Sequence, residues 1–187
     1  MRIPTESYEE IYQSYSDALA WMKKVGVSFS SGRTNHYEKV LKHWKGEYKI
    51  APEDQVKAVF PEFVSSMFEV HDFIDIYKAF RDVSPAELVQ IVEKLQQGIN
   101  GPINAFDETP KSTAARNFLF EATVAARSHR PQVGVKAIFN ASSDTGIEID
   151  KKKLWVECKR VTNIGKIEAN VKKASSQLET VIRKQNG

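Results

Sequence analysis

The sequence has 187 residues, 41% of them apolar and 27% charged, with a formal net charge of +3. That is enough apolar content for one ordinary core, or a small domain with an appendage, and no segment reaches membrane-spanning length. The start, Met1-Arg2-Ile3-Pro4-Thr5-Glu6, lacks the apolar stretch of a signal peptide, and the single cysteine excludes an internal disulfide framework, so the chain reads as cytoplasmic.

In chain order, the first elements are helical. Tyr8, Ile11, Tyr12, Tyr15, Leu19 and Met22 recur at helical spacing, as do Tyr37, Val40, Leu41 and Trp44, with a loop signal over Ser28–Arg33 between them. A third helix is predicted from Pro61 to about Arg81 through Phe63, Met67 and Ile74. A fourth follows the capping box Ser84-Pro85-Ala86-Glu87 and ends at Gly98. The aromatic residues of this part are read as core, and its histidines show no metal-ligand spacing. The linker Asn100–Asp107 closes it, which suggests a helical domain over 1–107 and a second domain over 108–187.

The two parts differ in charge. Residues 1–107 hold 12 Lys and Arg against 16 Asp and Glu, a net of −4, whereas residues 108–187 hold 15 against 8, a net of +7. In the second part, Ser112–Arg127 is Ala-rich and favours a helix. Its stripe Phe118, Glu121, Ala122, Ala125 sets an acid among apolar residues. A strand is predicted over Val133–Phe139, and 144–161 reads as a β-hairpin.

Within the hairpin, Leu154-Trp155-Val156-Glu157-Cys158-Lys159-Arg160-Val161 places Glu157 and Lys159 on one strand face between Trp155 and Val161. Buried charges are rare unless paired or bound to metal. With a loop of even length, Ile149 pairs with Leu154, and Asp144 comes to the face of Glu157 and Lys159; an odd loop sends it to the other side. Alone, the Glu-x-Lys tripeptide equally describes an ordinary charge pair on an exposed strand. Cys158 is read as a packed residue, with no histidine signature to make it a nucleophile. A helix over Gly165–Lys184 ends the chain.

The order helix, strand, strand with Asp144, strand with Glu157-Cys158-Lys159, helix resembles the PD-(D/E)xK nuclease superfamily, over about residues 110–187. The resemblance implies an α+β protein: an N-terminal helical bundle followed by a restriction-endonuclease-like αβββα core. It implies that Asp144 and Glu157 bind a divalent metal, Mg²⁺ or Mn²⁺, that Lys159 positions the attacking water, and that Glu121 and Gln177 complete the site. Ser143 stands where the signature has proline. The family core also has a further strand after the last helix, which this sequence lacks before Gly187. A longer natural chain, or a partner subunit or second copy supplying that strand, is therefore expected.

Elementary chemistry agrees with this. Phosphodiester hydrolysis is helped by a cation that offsets phosphate charge and acidifies water. Mg²⁺ takes oxygen ligands and keeps several waters. Asp144, Glu157, Glu121 and the Cys158 carbonyl could supply the oxygens. Lys151, Lys152, Lys153, Arg160, Lys166, Lys172 and Lys173, with Arg183 and Lys184, could neutralise phosphates, although Lys-rich turns are also ordinary solvated surface. The expected substrate is DNA in preference to RNA. The alternatives are a nucleic-acid-binding module of the same fold that does not cut, and a protein-interaction module acting through the helical part.

Overall fold

The computed structural model describes residues 6–29, 32–47, 50–109, 111–140, 143–161 and 163–185. Ser30 and Ser31 of the predicted first loop, and the expected stop at Asn186-Gly187, lie outside the described residues. Among the described residues, six α-helices and a three-stranded antiparallel sheet follow in the order α1 (Tyr8–Lys24), α2 (Arg33–Glu47), α3 (Glu53–Phe80), α4 (Val89–Gly98), α5 (Ala114–Ser128), β1 (Lys136–Asn140), β2 (Ser143–Ile149), β3 (Lys152–Val156) and α6 (Ile167–Gln185). The architecture is α+β. Among the described residues no helix is long and apolar enough to cross a membrane.

Local signals account for the ends of α1 and the start of α3. α1 opens on a capping box in which Glu10 N–H donates to Ser7 Oγ at 3.2 Å, and Ser7 N–H donates to the Glu10 carboxylate at 2.6 Å. Glu9 and Glu10 in the first turn, with Lys23 and Lys24 in the last, complement the helix dipole. α3 starts at Glu53 rather than at the predicted Pro61, which sits inside the helix. The proline that marks the start is Pro52, followed by the acids Glu53 and Asp54. In the predicted fourth helix, Ser84 Oγ donates to the Glu87 carboxylate at 2.6 Å, yet regular helix begins only at Val89.

One buried cluster joins Tyr15, Tyr37, Phe73, Ile74, Ile91 and Leu95 of α1–α4 to Leu119, Ala122 and Ala125 of α5. Tyr15, Trp21, Tyr37 and Trp44 are core residues. Gly98 permits the close approach of α4 to α5, because a Cβ there would stand 3.3 Å from the Leu119 nitrogen. The expected division after residue 107 thus falls within a continuous core, and Ala137 and Phe139 of β1 pack on the same cluster.

The sheet order is β1-β2-β3. β2 and β3 are joined by the two residues Asp150 and Lys151, with φ of 50° and 64°. Two positive φ values in a two-residue loop define a type I′ turn, whose twist matches that of the strands. The loop is even, which keeps Asp144 on the expected side. The register differs by two from the predicted one, because Ile149 faces Lys152 rather than Leu154. Extended by one pair beyond Thr145↔Val156, it sets Asp144 opposite Glu157. The strand itself ends at Val156, so Glu157-Cys158-Lys159 follows the strand instead of lying within it. β3 is a sheet edge, and no fourth strand pairs with it among the described residues.

Gly146 lies opposite Trp155, whose ring covers it. A Cβ at 146 would stand 2.6 Å from Trp155 Cε3 and 2.8 Å from the Leu154 carbonyl oxygen. Gly146→Ala is therefore expected to cost about 1–3 kcal/mol through displacement of the indole and of β3. Urea denaturation measures it, and an unchanged midpoint would show that the hairpin absorbs the methyl without strain.

Candidate active site

Asp144 is brought in by β2, and Glu157 and Lys159 by the segment that leaves β3. Lys159 Nζ donates to Asp144 Oδ2 at 3.3 Å and to Glu157 Oε2 at 3.2 Å. The Cys158 N–H donates to the same Asp144 oxygen at 2.7 Å. The Glu157 side chain is 1% exposed, against 21% for Asp144 and 22% for Lys159, so the cluster has one deep acid and a partly open mouth.

Electrostatics follow from this crowding. Burial holds the Glu157 carboxyl above its ordinary range; the hydrogen bond from Lys159 opposes the shift and the Asp144 charge reinforces it. Burial alone would lower the Lys159 pKa, but its bond to Glu157 and the Asp144 charge outweigh that and hold the ammonium above the usual lysine range. The Cys158 thiol is pushed up to about 12 by burial, then by the charges of Asp144 and Glu121. It is a protonated packing group at neutral pH.

Glu121 has a partner that the sequence did not disclose. It is 8% exposed on α5 and pairs with Lys94 of α4, which reaches across from the helical part. Its carboxyl is raised by burial and lowered by Lys94, and it feels the charges of Asp144 and Lys159. Gln177 on α6 has its Oε1 buried without a hydrogen-bond partner, and no hydrogen bond links it to Asp144, Glu157 or Lys159.

Asp144, Glu157 and Lys159 are thus together, Glu121 is close but engaged, and Gln177 is unjoined. Among the described residues no group of three or more His, Cys, Asp or Glu side chains is assembled as a metal site. The donor set still suits Mg²⁺ or Mn²⁺, since two carboxylates and the Cys158 carbonyl are hard oxygen ligands, and Mg²⁺ commonly binds through one or two carboxylates plus waters.

The basic residues are divided. Lys151, Lys152 and Lys153 are exposed at the hairpin turn. Asp144 is six residues from the turn residue Asp150, about 20 Å along the strand. Lys166, Lys172 and Lys173 are exposed in and before α6, where Lys172 pairs with Glu168 at 2.7 Å; Arg183 approaches Glu179 at 3.9 Å, and the Lys184 side chain lies outside the described residues. Arg160 does not match its expected role as a free phosphate ligand. It turns inward, pairing with Glu108 and donating from Nε to Asn117 Oδ1 at 3.2 Å.

No protein-family model matches the chain, and no curated protein or solved structure is significantly similar to it.

Proposed function

We propose that this protein is a metal-dependent phosphodiesterase of the PD-(D/E)xK type, a nuclease acting on DNA, with α5-β1-β2-β3-α6 as its restriction-endonuclease-like core. The observation that carries the reading is the pair of acids, Asp144 and Glu157, converging on one ammonium, Lys159, at the open end of a hairpin. A buried acid, a second acid at a partly open mouth and a lysine with shifted titration between them are the kind of cluster that functional sites use.

In this reading Asp144, Glu157 and the Cys158 carbonyl would hold Mg²⁺ or Mn²⁺, with Glu121 available if it exchanges Lys94 for the cation. The bound ion supplies charge neutralisation and a more acidic water. Lys159 then holds the attacking water and stabilises developing negative charge on the phosphate. Gln177 offers a buried amide oxygen without a partner, suited to a water or a substrate donor near α6. The test is cleavage of plasmid, linear duplex, single-stranded DNA and RNA with Mg²⁺, Mn²⁺ or chelator. Cleavage only with metal supports the reading; none, or equal cleavage with chelator, overturns it.

One observation favours a second reading, a nucleic-acid-binding module that does not cut: Lys159 pairs with both acids, and among the described residues no third acid joins them. In either reading the lysines of the turn contact phosphates. Lys151, Lys152 and Lys153 changed together to Ala should weaken binding and reduce the slope of log affinity against log salt by up to about three phosphate contacts' worth. Fluorescence anisotropy across a salt series measures this, and an unchanged slope would make the cluster a solvated turn.

A further inference from the structure

Lys159 is the residue on which the proposed chemistry turns, yet the strand that brings it has already ended at Val156. Its place depends on the Cys158 N–H bond to Asp144 just before it and on what holds the chain just beyond it. The next residue, Arg160, is gripped by the Glu108 carboxylate and by Asn117. Glu108 in turn accepts from Arg116 Nη1 of α5 at 3.3 Å.

Arg116 is itself over-determined. Its Nη2 donates to the carbonyls of Pro102 at 2.9 Å and Ile103 at 3.0 Å, and its Nε donates to Glu69 Oε1 of α3 at 2.5 Å. The other Glu69 oxygen pairs with Arg33 Nη1 of α2 at 3.1 Å. Arg33 is fully buried and also donates to the Gly98 carbonyl. Five side chains of alternating sign therefore run from the helical core to the residue beside Lys159: Arg33, Glu69, Arg116, Glu108, Arg160. Side-chain exposure along the row is 0, 9, 5, 7 and 22%.

Stability gives a weak reason for such a row, because buried ion pairs are often matched or bettered by apolar packing of the same volume. What it does supply is geometry. Charged hydrogen bonds in a buried setting define one arrangement, and here that arrangement ends one residue from the site. We infer that Glu108, acting through Arg160, is a positioning residue for Lys159, and that this row of charges ties the site to the helical part alongside the Lys94–Glu121 pair. The consequence for turnover rests on the nuclease reading; the placement of Lys159 does not.

The experiment uses the full chain. Amide hydrogen exchange at Cys158, whose N–H donates to Asp144 beside Lys159, is followed by NMR in wild type, Glu108→Gln and Glu108→Asp, and cleavage is measured in parallel. In wild type this amide should be protected. Glu108→Gln should lower its protection several-fold and lower kcat by about 10–100-fold, with KM within about twofold, the scale seen when a supporting outer residue is lost. Glu108→Asp should recover part of both. In a Lys159→Ala background, Glu108→Gln should add no further loss, since its effect runs through that lysine. If Glu108→Gln does not fold, Arg160→Gln, at the more exposed end of the row, carries the same expectations. Unchanged protection of the Cys158 amide, or losses that simply add in the double variant, overturns the proposal. A wild type that never cuts would remove the nuclease reading, and the exchange measurement would still decide whether Glu108 holds the segment that places Lys159.

Discussion

In the nuclease reading, Lys159→Ala is expected to lower cleavage by about 10²–10³-fold while leaving metal affinity equal or tighter. The size is that of removing one aimed donor from a developing negative charge. The opposite effect on the metal follows from the geometry. Asp144 and Glu157 share the ammonium at 3.3 and 3.2 Å, and without it only a bound cation, or a proton on Glu157, offsets the two acids, so the comparison is made above the pH at which Glu157 titrates. Glu157→Ala should instead lose cleavage and metal affinity together, because it removes one of few ligands. Calorimetric titration with Mn²⁺ beside the cleavage assay separates the two variants. The pH dependence has a definite sign. A buried carboxyl whose pKa is raised must lose its proton to bind a cation, so metal affinity should climb with pH through a range above that of an ordinary glutamate. If Lys159→Ala cuts as fast as wild type, the role given to this lysine is wrong.

Glu69→Ala is expected to cost about 3–5 kcal/mol of stability, the range for breaking a buried pair by deleting one partner. Among the described residues, Glu69 is the acid that pairs directly with both Arg33 and Arg116, which are 0% and 5% exposed. Its loss leaves two guanidinium groups facing each other in the core. Replacing Arg33 and Glu69 together by Met and Leu should recover part of that loss, since one stranded charge leaves with its partner while Arg116 keeps Glu108. Urea denaturation of the three proteins is the measurement. A single-variant loss below about 1 kcal/mol would mean that another acceptor, such as Glu108, takes over.

Much of this was legible in the sequence, for identifiable reasons. Helical periodicity located α1, α2 and α5, because their apolar residues repeat along one stripe that is buried. The convergence of Asp144 with Glu157 and Lys159 was legible as far as parity, since only an even loop brings them to one side. The register was not, because Asp150-Lys151 carries no glycine to announce a type I′ turn. The start of α3 was misread because Pro61 resembles a first-turn proline, and a single internal proline is tolerated in a helix of 28 residues. Lys94 on Glu121 and Glu108 on Arg160 left no local trace. Those pairs join residues 27 and 52 positions apart, and nothing in a linear pattern marks which lysine meets which acid.

The shared core bears on how separable the two parts of this protein are. A fragment starting at residue 108 would carry α5 with Leu119, Ala122 and Ala125 bare, and Arg116 without Glu69. It would also free Glu121 from Lys94. The hairpin and α6 are thus not a cassette that can be moved to another chain with its chemistry attached. What would have to travel in a gene fusion or a domain exchange is the helical bundle and the hairpin as one piece, joined along α5.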